Sequence, residues 1–308
     1  MKTAFFFSGQ GALYPGMMKD LFEAEPAARE IYAKAEECLS RSLSWLSFEG
    51  TQEELNLTHN TQPTVLAADL AAAAVLRAHG IAADAAAGFS LGEYAALSFA
   101  GVLSAEDCFK LIQIRADAMQ AAVAPGDGAM AAFVGAAPEK VEEICARVTD
   151  AYVAAANYNS PIQTVVSGSA AGVDRACGIA DAEGIKSVRL AVSAPFHCAL
   201  MEPAARRLEE EFRHVPFQAP QIPVYMNVDG KPAPDAGSIP DLLVRQAMSP
   251  VRWVQTLENM QADGIDTFIE CGPGKTLSGL VKKTLRGVTV LRVENLKTLE
   301  DTLLKLEK

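Results

Sequence analysis

Gly88-Phe89-Ser90-Leu91-Gly92 follows the small-residue run Ala85-Ala86-Ala87 and precedes the helix-forming Glu93-Tyr94-Ala95-Ala96-Leu97. A G-x-S-x-G pattern between a strand and a helix is a nucleophile elbow, in which flanking glycines make room for a sharp turn that lifts the serine hydroxyl above the sheet edge. The N–H of Leu91 and the open helix N-terminus then face any carbonyl that Ser90 attacks, where they stabilise a developing oxyanion. Serine alone is a weak nucleophile, so the motif requires a base elsewhere in the chain.

Outward from the elbow, the order of elements predicts an α/β fold. A short apolar strand, Ala4–Phe7, breaks at Ser8-Gly9-Gln10-Gly11 and leads into helical spacing from Met18 to Leu39. An alanine- and leucine-rich helix, Thr64–His79, stops at Gly80, and an amphipathic helix over Ser104–Ala124 turns Leu111, Ile112 and Ile114 inward. After Pro125-Gly126-Asp127-Gly128 the pattern changes. Strand (Met130–Val134), helix (Pro138–Val148), two strands (Tyr152–Asn157 and Gln163–Val166), helix (Ala170–Glu183) and strand (Ser187–Val192) give β-α-β-β-α-β order, the ferredoxin-like split unit. We therefore expect a large domain of residues 1–126 and 194–308 interrupted by an inserted small domain, 127–193. The second part of the large domain carries a helix over Leu200–His214, a strand near Val224–Val228, a helix through Leu242–Met248 and a strand at Thr267–Glu270.

Composition narrows the function. The 308 residues carry 27 Lys+Arg against 38 Asp+Glu, a net charge of −11, which excludes a general nucleic-acid or anionic-membrane surface. Six scattered cysteines without a C-x-x-C pair argue for reduced thiols in a cytoplasmic protein, and against a zinc site or a disulfide framework. The apolar start is too short for a signal peptide, and no segment is long and uncharged enough to span a bilayer.

Four histidines are available as the base. His79 precedes Gly80 as a helix-end cap, His214 ends a charged helix face, and His59 lies in a polar loop between Thr58 and Asn60. His197, in Ala194-Pro195-Phe196-His197-Cys198, sits where the chain returns from the insertion, in a loop of the kind that holds catalytic groups. It is either the base for Ser90 or a histidine packed between Phe196 and Leu200. No aspartate between Ser90 and His197 stands out as an orienting acid, so a backbone carbonyl is expected in that place. Arg115 interrupts an apolar helix stretch; it forms either a surface ion pair with Asp117 or Glu106, or an inward bidentate grip on an anionic acyl group. Gly9-Gln10-Gly11 and Gly272-Pro273-Gly274-Lys275 lack the full glycine pattern of nucleotide loops.

Taken together, Phe7-Ser8-Gly9-Gln10-Gly11, Thr61-Gln62-Pro63, the elbow, Gln113-Ile114-Arg115, Asn157-Tyr158-Asn159-Ser160-Pro161, Pro195-Phe196-His197-Cys198, Asn227-Val228-Asp229-Gly230, Val244-Arg245-Gln246 and Gly272-Pro273-Gly274-Lys275 resemble the malonyl-CoA:acyl carrier protein transacylase family over essentially the whole chain. The resemblance implies an α/β-hydrolase-like core with an inserted ferredoxin-like domain. It also implies malonyl transfer from malonyl-CoA to the phosphopantetheine thiol of acyl carrier protein through a malonyl-serine, for fatty acid synthesis. By the same resemblance Ser90 is the acylated nucleophile, His197 its base and Arg115 the carboxylate grip. The amides of Gln10 and Leu91 form the oxyanion hole, and the Gln246 carbonyl orients His197. Asn159 and Gln62 line the site; Phe196 departs from several bacterial relatives, which carry a small serine before the catalytic histidine, and is similar to the ring that in malonyl-selective acyltransferases of polyketide assembly lines crowds out a methyl branch.

The chain departs from many relatives in having Phe89 where they carry histidine. No metal or cofactor is expected beyond the coenzyme A thioester as substrate, and the protein is expected to be a monomer. The other readings are a free-standing malonyl acyltransferase of a polyketide pathway, and a serine thioesterase or hydrolase. Acyl carrier proteins are acidic, so docking calls for a basic patch: Lys282, Lys283 and Arg286 first, Lys186 and Arg189 second.

Overall fold

In the computed structural model, which describes residues 1–192 and 194–306, the chain builds two sheets from nine strands. These are β1 (Thr3–Phe7), β2 (Ala85–Gly88), β3 (Gly128–Val134), β4 (Val153–Ser160), β5 (Gln163–Ser169), β6 (Lys186–Arg189), β7 (Val224–Tyr225), β8 (Thr267–Cys271) and β9 (Thr289–Val293). One sheet is parallel with strand order β7-β2-β1-β8-β9, and the other is antiparallel with order β4-β5-β3-β6.

Strand β1 shows why the first sheet forms where it does. All five residues are buried, and alternation sends Phe5 and Phe7 to one face and Ala4 and Phe6 to the other. Phe5 and Phe7 meet Phe99, while Phe6 meets Trp253 and Phe268, so both faces are covered, as a parallel sheet requires. The register pairs Phe7 with Gly88 on one side and with Cys271 on the other. Three loops therefore leave the same sheet edge: Ser8–Gly11, the elbow, and Gly272–Lys275. Crevices at the carboxyl ends of parallel strands are where such folds place their sites.

The second sheet is two-faced. In β3, Ala129, Ala131 and Phe133 pack beneath the helices Pro138–Arg147 and Ala170–Ala182, while Met130 and Ala132 join the core of the larger unit. The sheet thus covers the crevice with an apolar wall. It docks on the larger unit where Val251 N–H donates to Ala156 O and Tyr158 N–H donates to Val251 O, both at 2.9 Å.

Several boundaries differ from the sequence expectation for identifiable reasons. The stretch 18–39 is two helices, Lys19–Ala24 and Pro26–Leu39, because Glu25 precedes a proline and adopts an extended conformation. The alanine-rich helix begins six residues earlier than expected, at Thr58, with Pro63 inside it. That places His59 in a helix and not in a loop; its carbonyl, deprived of the proline N–H, accepts Gln113 Nε2 at 3.4 Å. Strand β7 is two residues long because the chain turns at Asn227, and β6 stops at Arg189 so that Leu190, Ala191 and Val192 line the crevice. Ser193, the expected return point, lies outside the described residues. Helices Leu43–Glu49, Gln52–Asn56, Trp253–Ala262 and Leu296–Leu306, and strand β9, had no sequence counterpart. No helix among the described residues is long and apolar enough to cross a membrane.

Candidate active site

The elbow requires glycine at both ends. A Cβ on Gly88 would stand 1.9 Å from the backbone of Gly92, and one on Gly92 would stand 2.3 Å from Phe7 O. Between them Ser90 adopts φ 56°, in the left-handed region that a non-glycine residue rarely occupies. His197 does the same at φ 60°. Backbone strain of about 1–3 kcal/mol at each such residue persists only where surrounding contacts impose it. We expect Gly92→Ala to abolish activity while leaving a folded protein of lower Tm; thermal unfolding with wild-type activity would contradict this account of the turn.

The contacts that impose the conformation are polar and buried. Asn227, fully buried, accepts the Ser90 N–H on Oδ1 at 2.7 Å and donates Nδ2 to Gly88 O at 2.7 Å, bracing the turn from both sides. Gln246 Nε2 donates to Ser90 O at 2.7 Å and to Glu93 Oε2 at 2.9 Å, and Asn227 N–H reaches the same Glu93 oxygen at 3.3 Å. Because the Ser90 N–H is committed to Asn227, it is unavailable to a substrate. The N–H groups of Gln10 and Leu91 donate to no group among the described residues.

Ser90 Oγ stands 2.7 Å from His197 Nε2, and His197 Nδ1 stands 2.9 Å from the Gln246 carbonyl. That carbonyl only accepts, so Nδ1 carries the proton and Nε2 is left as the acceptor for the serine hydroxyl. The unprotonated Nε2 therefore faces the Ser90 hydroxyl and is placed to accept its proton, a polar contact that simple packing between Phe196 and Leu200 would not supply. Burial first, and the Arg115 charge second, pull the imidazole down to about 4, so it stays neutral until a proton arrives from the reaction.

Arg115 lies on the helix Ala105–Ala121, buried and turned inward, and forms no surface ion pair with Asp117 or Glu106. Nη1 donates to Gln62 Oε1 at 2.7 Å; Nη2 donates to Ser90 Oγ and to Gln246 Oε1, each at 3.1 Å. Among the described residues the Nε–H has no hydrogen-bond partner, and the guanidinium lies 5.6 Å from the Tyr94 ring centre. A cation held by neutral groups, with a donor to spare, is built to receive an anion.

Burial pushes the Glu93 carboxyl from 4.5 to about 8, against the lowering by Gln246, Asn227 and Arg115, so the folded protein holds it protonated at neutral pH. In the unfolded chain the same group ionises near 4.5, so its burial withdraws stability progressively as pH rises from about 5 to 8. Glu93→Gln removes that ionisation. The Tm advantage of the variant over the parent is expected to grow across this window and level off above it; a pH-independent difference would contradict a buried neutral carboxyl.

A cavity of 690 Å³ opens above the dyad. The sequence-derived residues Gln10, Gln62, Ser90, Arg115, Asn159, Phe196 and His197 line it, with Leu91 at the elbow and Gln246 behind the dyad. Its far wall is apolar, from Met130, Ala132, Val165 and Leu190, and Gly9, Gly11 and Lys275 contribute from the two glycine-rich loops. Phe89 packs edge-on against Trp253 at 5.4 Å and borders the cavity. Asn227 and Glu93 escaped sequence reasoning as site residues; the signal available was polar side chains at positions that the apolar pattern buries.

Of the basic clusters, Lys283 lines this cavity and Lys282 a neighbouring groove shared through Lys275 and Gly279. Arg286 instead donates to its own helix end, at Lys282 O and Leu285 O. Arg189 is paired with Asp174.

The model of the acyl transferase domain family matches residues 4–300. A relative from Bacillus subtilis, named malonyl CoA-acyl carrier protein transacylase, is 42% identical over 97% of this chain and 95% of its own length. A relative of the same name from Escherichia coli K12 is 41% identical over 93% of this chain and 94% of its own. The crystal structure of a malonyl CoA-acyl carrier protein transacylase from Clostridium perfringens superposes with TM-score 0.97 at 40% identity, covering 100% of this chain and 98% of that one. A malonyl-transacylase solved in complex with its type II polyketide synthase acyl-carrier protein matches with TM-score 0.96 at 39% identity, covering 99% and 100%. The match over nearly the full length, together with the Ser90 and His197 geometry, shows that the chain belongs to the acyl transferase domain family.

Proposed function

We propose that this chain is an acyl carrier protein S-malonyltransferase that carries the malonyl group of malonyl-CoA to the phosphopantetheine thiol of acyl carrier protein, for fatty acid synthesis, as an ester on Ser90. The observation that carries the reading is the chain of bonds from Arg115 through Ser90 to His197 and the Gln246 carbonyl. Ser90 Oγ attacks the thioester carbonyl and its proton passes to His197 Nε2. The oxyanion is met by the free amides of Gln10 and Leu91. As the C–S bond breaks, the imidazolium returns the proton to the departing thiolate. The carrier thiol then gives its proton to His197, attacks the ester carbonyl, and Ser90 recovers the proton. One thioester is exchanged for another, so the chemistry draws on no redox or metal step. Arg115 holds the malonyl carboxylate, Gln62 and Asn159 line its path, and Phe196 narrows the pocket against branched acyl groups.

Lys282 and Lys283, at and beside the cavity mouth, meet the acidic carrier. The strand order β4-β5-β3-β6 supports describing 127–193 as a ferredoxin-like insertion in an α/β-hydrolase-like core of 1–126 and 194–308. The protein acts as a cytoplasmic monomer. The test is the fate of the acyl-enzyme: malonyl-Ser90 is expected to pass to phosphopantetheinylated carrier much faster than to water. Rapid release of malonate without carrier would instead mark a hydrolase. Running the assay with a fatty acid and a polyketide carrier separates the two pathways, a comparison motivated by the polyketide complex among the similar structures.

A further inference from the structure

Among the described residues Arg115 is a buried cation without an anionic partner. Its three acceptors, Gln62, Gln246 and Ser90, are neutral. Glu93 is joined to it only through the Gln246 amide, and is held protonated at neutral pH. The guanidinium and the imidazole share one oxygen: Ser90 Oγ is 3.1 Å from Arg115 Nη2 and 2.7 Å from His197 Nε2. When Ser90 attacks, His197 must become an imidazolium in direct view of this cation. Both groups are almost fully buried, so water screens the repulsion poorly.

We propose that Arg115 gates the base as well as holding the substrate: its uncompensated charge opposes proton transfer to His197, and the carboxylate of the malonyl group removes that opposition on pairing with the guanidinium. The inference rests on the malonyl-transfer reading and deepens it. A neutral acyl group of similar size leaves the cation unpaired, so discrimination falls on the rate of acylation in addition to binding.

The groups facing His197 support this. They are Ser90 from the elbow, Arg115 from its helix, and the carbonyls of Gln246 and Ser249, with Glu93 behind Gln246. Lys275, Lys283 and Glu270, whose carboxyl accepts the Leu277 and Ser278 N–H groups, line the same cavity. After burial itself, Arg115 is the group that most lowers the basicity of the ring.

The test is a histidine-ring NMR titration of the Ser90→Ala protein, which cannot consume the thioester, carried out free, saturated with malonyl-CoA and saturated with acetyl-CoA. The other three histidines are exposed and serve as internal references. Malonyl-CoA is expected to raise the His197 midpoint by about one pH unit or more, tenfold in proton affinity, and acetyl-CoA is expected to leave it in place. Equal midpoints with both thioesters bound overturn the gate and leave the transfer reading intact. Failure of malonyl-CoA to bind overturns both. An Arg115→Met protein supplies the converse: its His197 midpoint rises without any ligand, and an unmoved midpoint in the folded variant also overturns the gate.

Discussion

Replacing His197 by alanine is expected to slow acylation of Ser90 by about 10²–10⁴-fold, the usual contribution of a positioned general base. The loss belongs in kcat, because the imidazole contacts the serine hydroxyl, whose proton it takes only as the reaction proceeds. The Gln246 carbonyl that fixes the ring tautomer is backbone, so no side-chain change reproduces this effect by removing the orienting group. Rapid-quench measurement of acyl-enzyme formation reads the rate directly. A decrease of less than about tenfold would assign proton removal to some group other than His197.

Replacing Arg115 by alanine is expected to have the second large effect, and a selective one. Losing a buried charge pair with the malonyl carboxylate costs about 2–5 kcal/mol, roughly thirtyfold to several-thousandfold in kcat/KM for malonyl-CoA. Transfer of a neutral acyl group such as acetyl has no such pair to lose and gains from the removal of a cation beside the base. The ratio of malonyl to acetyl turnover in the variant and the parent is the measurement. Equal losses for both substrates would show that Arg115 holds the elbow together and does not read the acyl group.

Much of this arrangement was legible in the sequence because it rests on local chemistry. The elbow declares itself through Gly88 and Gly92, each of which the structure shows pressed against backbone where a Cβ has no room. The β-α-β-β-α-β order was visible because each element of that unit has its own period and turn residues, and the structure reproduces it from Gly128 to Arg189. His197 could be singled out by its loop, but its 2.7 Å contact to Ser90 Oγ could not be read from the sequence. Arg115 was equally open, since nothing in a helical stretch tells which way a long side chain points.

Other parts were illegible for a physical reason: they are long-range. Asn227 braces an elbow 137 residues earlier in the chain, and Gln246 contacts Ser90 across 156. Neither pairing leaves a trace in local periodicity. Helix Trp253–Ala262 was missed although Trp253, Leu257 and Met260 are all buried, because only four residues, Ser249 to Arg252, separate it from the preceding helix Ile239–Met248.

A transient ester at Ser90 is the step on which malonyl transfer depends, and intact-protein mass spectrometry tests it most directly. After mixing with malonyl-CoA the wild-type chain should gain the mass of one malonyl group and lose it again when phosphopantetheinylated acyl carrier protein is added, while Ser90→Ala should gain nothing. No mass gain in the wild type, or an equal gain in Ser90→Ala, would contradict it.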